Sequence, residues 1–214
     1  MIDLSILYRD PHFVVLNKPH GLKVHAGPGG GPSVEDFLPS LSKRDDGPWL
    51  AHRLDAETSG CLLVALRKQP LILAQKAFAE RRVRKAYWAV VIGGPDADAG
   101  EIAAPLAKIT TRAGWTIAVR PDGADALSSY RVLGRGDGIS WLEMVPHTGR
   151  THQLRVHCAH AGFPMLGDGL YGRASGGLHL MSRALAVPET AVDAVAPPPG
   201  HMVRGLQACG FVKP

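Results

Sequence analysis

Apolar and polar positions along this chain predict a mixture of short strands and a few helices. Residues 12–17 (HFVVLN) read as an opening strand, and Cys61 to Leu66 (CLLVAL) is continuously apolar, as a buried central strand is. Between them runs a loop through Gly27-Pro28-Gly29-Gly30-Gly31-Pro32. After it, Ser33 is placed to cap a short helix carrying Val34, Phe37 and Leu38. From Gln69 to Arg82, Leu71, Ala74 and Phe78 recur at i, i+3 and i+7, which predicts an amphipathic helix. Lys85 to Ile92, β-branched and aromatic, reads as a strand stopped by Gly93-Gly94-Pro95. Three more strands are predicted at Trp115 to Arg120, Ala126 to Leu133 and Ile139 to Val145, joined by links short enough for antiparallel hairpins. Thr151 to Ala161 predicts a helix with Leu154, Cys158 and Ala161 on one face and Gly162 as its stop. Leu178 to Leu185 reads as the last core strand, and the tail containing Pro197-Pro198-Pro199-Gly200 predicts an extended end. The expected architecture is a single α+β domain over residues 1–214, with a mainly antiparallel central sheet flanked by helices and loops. Its core spans about residues 6–188, and 189–214 form the Pro-rich C-terminal segment.

Composition narrows the class. With 45% hydrophobic residues in 214, the chain can bury an ordinary core. Its formal charge of +5, from 24 Lys and Arg against 19 Asp and Glu, favours a polyanionic partner. Arg81, Arg82, Arg84 and Lys85 fall together before Tyr87, whereas Asp45, Asp46, Asp96, Asp98, Asp122 and Asp125 lie in predicted loops, so one basic face is expected. Three cysteines, Cys61, Cys158 and Cys209, leave one over in any disulfide scheme and lack Cys-x-x-Cys spacing, which fits a reducing cytoplasm. No signal-like start and no run long enough to cross a membrane are present. The glycine-rich loop lacks both a Gly-Lys-Ser/Thr ending and a Gly-x-Gly-x-x-Gly opening to a βαβ unit, so no nucleotide site is expected there.

The sharpest chemical signal is His52-Arg53-Leu54-Asp55, followed by Ala56-Glu57-Thr58-Ser59-Gly60 and the apolar strand. A carboxylate on a loop beside a packed strand is fixed in position, and a nearby guanidinium favours its ionised form, as a nucleophile requires. A lone Arg-x-Asp is more often a capped turn with a surface partner. Here it has company in Arg84-Lys85-Ala86-Tyr87-Trp88-Ala89-Val90-Val91 and in His147-Thr148-Gly149-Arg150-Thr151-His152-Gln153-Leu154-Arg155-Val156-His157.

Together these segments resemble the RNA pseudouridine synthases of the RluA type. The resemblance extends to Val15-Leu16-Asn17-Lys18-Pro19 with Gly21-Leu22, and to Gly167-Asp168-Gly169-Leu170-Tyr171-Gly172, so it covers most of residues 6–185. It implies a mixed sheet crossed by an RNA cleft with the aspartate at its base. It also implies an isomerase that detaches uracil from ribose at nitrogen, turns it and rejoins it through carbon 5, with no cofactor and no metal. By the same resemblance Asp55 is the nucleophile, Arg155 is its ion-pair partner, and Tyr87 is the aromatic residue that stacks on the uracil. Arg53 would fill the space left by the extruded nucleotide, Leu154 would pack near the base, and His52, Arg150 and His152 join the substrate contacts. The added N-terminal RNA-binding domain of several family members is not expected before Asn17. The partner is expected to be structured RNA, transfer or ribosomal, and the protein a monomer.

Three other readings were weighed. His147, His152, His157 and His160 crowd one stretch, but no zinc-binding pattern is present, and residues five apart on a helix face roughly 500° apart in rotation. A hydrolytic glycosidase would need a second carboxyl group, and the only suggestions, Glu57 and Asp168, lie in no recognisable acid/base arrangement. An RNA-folding chaperone without turnover would not need Asp55, Tyr87 and Arg155 together.

Overall fold

The structure is a computed structural model that describes residues 4–27, 29–43, 46–111 and 114–212. Pro28 of the glycine-rich loop and Asp45 lie outside the described residues. In chain order the elements are β1 (Ile6–Arg9), β2 (Phe13–Lys18), a 3-10 helix (Val34–Leu41), β3 (Trp49–Leu50), β4 (Ser59–Ala65), α1 (Lys68–Ala79), β5 (Arg84–Ile92), β6 (Ala99–Ala103), β7 (Leu106–Thr111), β8 (Gly114–Val119), β9 (Leu127–Gly136), β10 (Ile139–Pro146), α2 (Gln153–His160), β11 (Leu180–Ala186), β12 (Asp193–Val195) and α3 (Gly200–Ala208). The class is α+β with mainly antiparallel strands, as expected. The chain sorts into two compact units, residues 1–85 with 181–199, and residues 86–180 with 200–214.

In the first unit the strands run β1-β2-β4-β11, with β3 against β4 and β12 against β11. All pairs are antiparallel except β4 with β11, where Ser59 and Gly60 meet Met181 and Ser182 in parallel. All seven residues of β4 are buried, which accounts for its unbroken apolar reading. With Val14, Val15 and Leu16 of β2, its Leu62, Leu63 and Val64 have no exposed surface. Fully burying an aliphatic side chain contributes roughly 1.5–3 kcal/mol, so this strand pair is a rigid floor. Gly60, at φ +99, lies so close to β11 that an added Cβ would stand 2.2 Å from the Ser182 carbonyl oxygen. Only glycine fits there. The amphipathic helix is α1, but the side chains it buries are Ala74 and Ala77, and it stops at Ala79 before the left-handed Arg81. Leu71 and Phe78 are only half buried. Ser33 precedes the 3-10 helix, and the bond that closes this start runs from the Ser33 amide to the Asp36 carboxylate at 2.8 Å.

The second unit carries β5-β10-β9-β6, antiparallel throughout, and the separate β7-β8 hairpin. The predicted hairpin between the last two strands before the helix is β9-β10. The strand predicted at Trp115 to Arg120 does not pair with it, because β8 takes β7 as its partner instead. Ala89, Val91, Leu142, Met144, Leu154, Cys158, Phe163 and Met165 form the core, with Tyr87 packed against it. Trp88 meets Trp141 edge to face at 4.6 Å, and Phe211 closes on both. The helix predicted from Thr151 starts at Gln153, because His152 is left-handed at φ 52. It buries every residue from Gln153 to Cys158 rather than one stripe, and Ala161 is exposed. The extended tail is corrected: β12 pairs with β11 in the first unit, and α3 buries Met202 and Leu206 in the second. Among the described residues, no helix is long and apolar enough to cross a membrane.

Candidate active site

Asp55, Arg53 and His52 belong to the first unit. Asp55 is half buried on the turn that opens β4, where the Thr58 amide donates to its carbonyl oxygen at 3.1 Å. Leu54 beside it is buried, while Arg53 is exposed. The turn is pinned from the opposite loop. Lys18, at the end of β2, has no exposed surface, and its ammonium donates to the carbonyl oxygens of Pro19 at 2.9 Å, Leu22 at 2.8 Å and Ala56 at 2.8 Å. Ala56 also accepts from the Gly21 amide, and the His20 ring meets the Glu57 carbonyl at 2.7 Å. Two residues immediately after Asp55 are therefore held by the loop that follows β2. Burial pulls the Lys18 ammonium down to about 7, against the upward pull of the Asp55 charge.

His52 supports the strand. Its Nε2 accepts from the Leu63 amide at 3.0 Å, and its ring packs 4.9 Å from Phe78. Burial, followed by the charge of Lys85, lowers its pKa to about 4, so the ring is neutral at neutral pH. It is not a cation for phosphate.

Tyr87, Leu154, Arg155, Arg150 and His152 belong to the second unit. Tyr87 sits opposite Met144, where β5 passes from its exposed start to its buried half. It packs against the cluster that contains Leu154, so these two are brought together. Arg155 is 3% exposed and forms a two-pronged pair with Asp168, Nε to Oδ2 at 2.8 Å and Nη2 to Oδ1 at 2.7 Å. The Leu170 and Tyr171 amides donate to the same Oδ1, at 2.9 and 3.1 Å. Burial opposes the charge on Asp168, but the Arg155 hydrogen bonds and charge, with those two amides, outweigh it and hold the carboxyl below its ordinary value. A carboxylate so occupied is a poor acid or base, which removes Asp168 as the second group of a glycosidase.

The start of α2 is equally constrained. Gln153 accepts from the Thr148 hydroxyl at 2.7 Å and the Arg150 amide at 3.0 Å, and donates to the Leu127 carbonyl and the Ser128 hydroxyl, both at 2.9 Å. Its amide thus ties the helix start to β9. His152 lies 2.8 Å from the Tyr171 hydroxyl through Nδ1 and stacks on Trp115 of β8 at 5.3 Å. These contacts accompany its left-handed backbone, a conformation that costs a non-glycine residue of order 1 kcal/mol or more. Arg150 is exposed, and its Nε donates to the Asp125 carbonyl at 3.1 Å.

Of the crowded histidines, His157 spends both ring nitrogens on Ser128 and Ala104, and His147 meets the Ser129 hydroxyl at 2.9 Å. Among the described residues no group of His, Cys, Asp and Glu is arranged to hold a metal ion.

Lys18, Asp168, Tyr171 and Gln153 lie within the sequence motifs, which give them no role in positioning. For Lys18 a signal existed: a lysine ending the apolar run Val14-Val15-Leu16 has little access to water. For the other three, polar residues among glycines or beside an arginine gave no sign of which partner they would choose.

A family profile described as RNA pseudouridylate synthase matches residues 12–160. An uncharacterized RNA pseudouridine synthase of Zymomonas mobilis is 40% identical over 172 residues, covering 78% of this chain and 78% of that protein. The ribosomal large subunit pseudouridine synthase C of Vibrio cholerae is 37% identical over 171 residues, 80% of this chain but only 54% of the relative. Among solved structures, human RNA pseudouridylate synthase domain containing 1 superposes with a TM-score of 0.79 at 31% identity, over 97% of this chain and 87% of that one. Human RNA pseudouridylate synthase domain containing 4 does so with a TM-score of 0.81 at 29% identity, over 95% and 92%.

Proposed function

The chain belongs to the RNA pseudouridylate synthase family and is an RNA pseudouridine synthase, an isomerase, and from that premise we propose that Asp55 is its nucleophile. The observation that carries the assignment is the clamp around Asp55: the residues after it are bonded to the loop that follows β2, through the buried Lys18 ammonium, the Gly21 amide and the His20 ring. A nucleophile held by its neighbours' backbone needs little reorganisation to react.

The isomerisation breaks the bond from ribose C1′ to uracil N1, makes one from C1′ to C5, releases the proton from C5 and takes one up at N1. No electrons are gained or lost. In this reading Tyr87 stacks on the uracil while it turns, Leu154 packs beside it, and Arg155 supplies positive charge for the Asp55 carboxylate. Its Nε and Nη2 are committed to Asp168, which fixes the guanidinium in plane. Arg53, exposed beside the nucleophile, enters the stack that the uridine leaves. Arg150 and His152 meet the RNA from the start of α2. His52 acts from behind, by fixing β4.

The proposed substrate is a stem-loop of ribosomal or transfer RNA, a choice supported by the name of the Vibrio relative for the first and by the net charge of +5 for either. The proposed setting is the cytoplasm and the proposed state a monomer. The three cysteines are free thiols, as a reducing compartment would keep them.

The test is tritium release from RNA labelled at uracil C5, comparing the natural sequence with Asp55→Asn. Release by the first and none by the second is expected, with RNA binding retained. Turnover by Asp55→Asn removes Asp55 from the role, and RNA binding without release by the natural sequence would favour the chaperone.

A further inference from the structure

A second basic feature of the first unit lies away from Asp55. A cavity of about 360 Å³ is lined by Arg9, Pro11, Ser40, Leu41, Ser42, Lys43, Leu66 and Arg67. Three of these are cations, and no carboxylate is among the described lining residues. Arg9 ends β1, Leu66 and Arg67 follow β4, and Leu41 to Lys43 follow the 3-10 helix, so three separate segments deliver the positive charge.

The nearest acidic residue in sequence, Asp10, is occupied elsewhere. Its carboxylate accepts from the Tyr8 hydroxyl at 2.7 Å and from the His12 and Phe13 amides at 2.7 and 2.6 Å. Arg9 is anchored by one bond, Nη2 to the Leu41 carbonyl at 2.8 Å, which sets its guanidinium against the cavity and leaves most of its five donors unused by that contact. Lys43 and Arg67 are exposed. Arg67 also stands at the start of α1, a helix of 12 residues whose first turn has no acidic side chain and no side-chain cap, so the helix dipole adds to the positive field. Among the described lining residues the three cations face no carboxylate; such cations repel one another, and an anion relieves that cost.

Asp55 precedes β4 and Arg67 follows it. Seven strand residues at about 3.3 Å each separate the two by roughly 20 Å. The cavity is therefore distinct from the nucleophile's turn. Its size exceeds that of a bare phosphate and suits a phosphodiester with an adjoining sugar, the apolar Pro11, Leu41 and Leu66 facing the sugar.

We propose that the open cavity lined by Arg9, Lys43 and Arg67 binds a backbone phosphodiester of the substrate RNA, at the end of β4 opposite Asp55. This rests on the reading of the chain as an RNA-modifying enzyme. It makes recognition depend on RNA beyond the target loop: a long structured RNA reaches both points, and a short stem-loop reaches only the first.

The experiment is equilibrium binding, by fluorescence anisotropy, of a long structured RNA and of a short stem-loop, read across a salt series. Lys43→Glu combined with Arg67→Glu is compared with Lys76→Glu combined with Arg204→Glu, which changes net charge equally at exposed positions that do not line the cavity. Loss of one phosphate contact at about 0.15 M salt corresponds to roughly fourfold in affinity at a slope of about 0.7, and charge reversal adds to it. The expected result is a loss of at least about fourfold for the long RNA relative to the control pair, a shallower salt slope, and no difference for the short one. Equal losses in the two double variants overturn the proposal. Lys43→Gln combined with Arg67→Gln covers the case in which charge reversal disturbs folding, with circular dichroism as the check. Inorganic phosphate that raises the thermal midpoint of the natural sequence but not of the glutamine variant, with long-RNA affinity unchanged, would assign the cavity to a free anion instead. Because binding is the readout, the outcome stands even if no turnover is found.

Discussion

Replacing Lys18 by methionine tests how the nucleophile is held. The side chains are similar in length, so the cavity stays filled while the charge and three hydrogen bonds go. Bonds from a charged donor contribute about 1.5–3 kcal/mol each, and burying an ammonium costs several kcal/mol, so most of the gain is offset. The expected loss of stability is about 1–3 kcal/mol, read from denaturant midpoints. Turnover should suffer more. The Ala56 carbonyl keeps Gly21 but loses the lysine, and a displacement of about 1 Å at a nucleophile can lower kcat/KM by about 100-fold. Tritium release measures it. The pH dependence separates the two effects. Lys18 has a folded pKa of about 7 against an ordinary 10.5, so between these values the unfolded chain binds more protons. Stability from this group therefore rises with pH across that window and is lost as pH falls through about 7. Its loop moves the other way: above pH about 7 the neutral amine has two donors for three carbonyls, so Asp55 is held less firmly. The natural sequence should gain stability relative to Lys18→Met as pH rises while its advantage in turnover shrinks. A folded Lys18→Met with kcat/KM within about threefold of the natural sequence at pH 6.5 would refute the reasoning.

Other substitutions bear on the second unit and on the sheet. Asp168→Ala leaves the buried Arg155 guanidinium without its two-pronged partner and should cost about 3–5 kcal/mol in denaturant melts, with activity lost. The same carboxyl, held below its ordinary 3.8, contributes stability above about pH 4 that is lost as acid takes the pH through its lower folded value. Acid melts of Asp168→Asn should lack that component. Tyr171→Phe removes the hydroxyl that meets His152 and accepts from the Ile117 amide at 3.1 Å. We expect about 1–2 kcal/mol of destabilisation and faster hydrogen exchange at Ile117, and unchanged exchange there would show that the hydroxyl does not tie the β7-β8 hairpin. Gly60→Ala sets a Cβ 2.2 Å from the Ser182 carbonyl oxygen at a left-handed φ, so it should fold poorly or lose more than about 3 kcal/mol, whereas Gly149→Ala, with open space around it, should be nearly silent in the same melts.

Much of this was legible in the residues, and the exceptions have physical reasons. β4 announces itself because both its faces are covered, and β9 and β10 because two segments mixing apolar and polar residues flank a short link at Asp137-Gly138. β6, Ala-Gly-Glu-Ile-Ala, carries one large apolar residue, and β12 is three residues long, too few for any period. α3 was concealed by its glycines. Gly205 is there because a side chain would press on His179, 3.3 Å away, so a residue that weakens a helix in isolation serves packing in place. The motifs placed Asp55, Tyr87, Arg155 and Leu154 in named roles, but the Asp168 partner of Arg155 was hidden in a run of glycines. A carboxylate thirteen positions away in a loop shows its partner only when the loop is folded.

The parallel contact of β4 with β11 has a further consequence, for the order in which the protein is made. Residues 59–65 leave the ribosome with β2 already available on one side and β3 on part of the other, but the strand that completes that other side, at Ser59 and Gly60, is encoded more than a hundred residues later. Until then Ser59 and Gly60 lack their neighbour on that edge, although β3 already covers Val64 and Ala65, and the intervening residues 86–180 must be synthesised in the meantime. Such non-local closure is slow, and an incompletely paired strand edge invites pairing with other chains. Nascent chains that stall before residue 180 should therefore be the aggregation-prone species, and a holding chaperone should matter most during that interval.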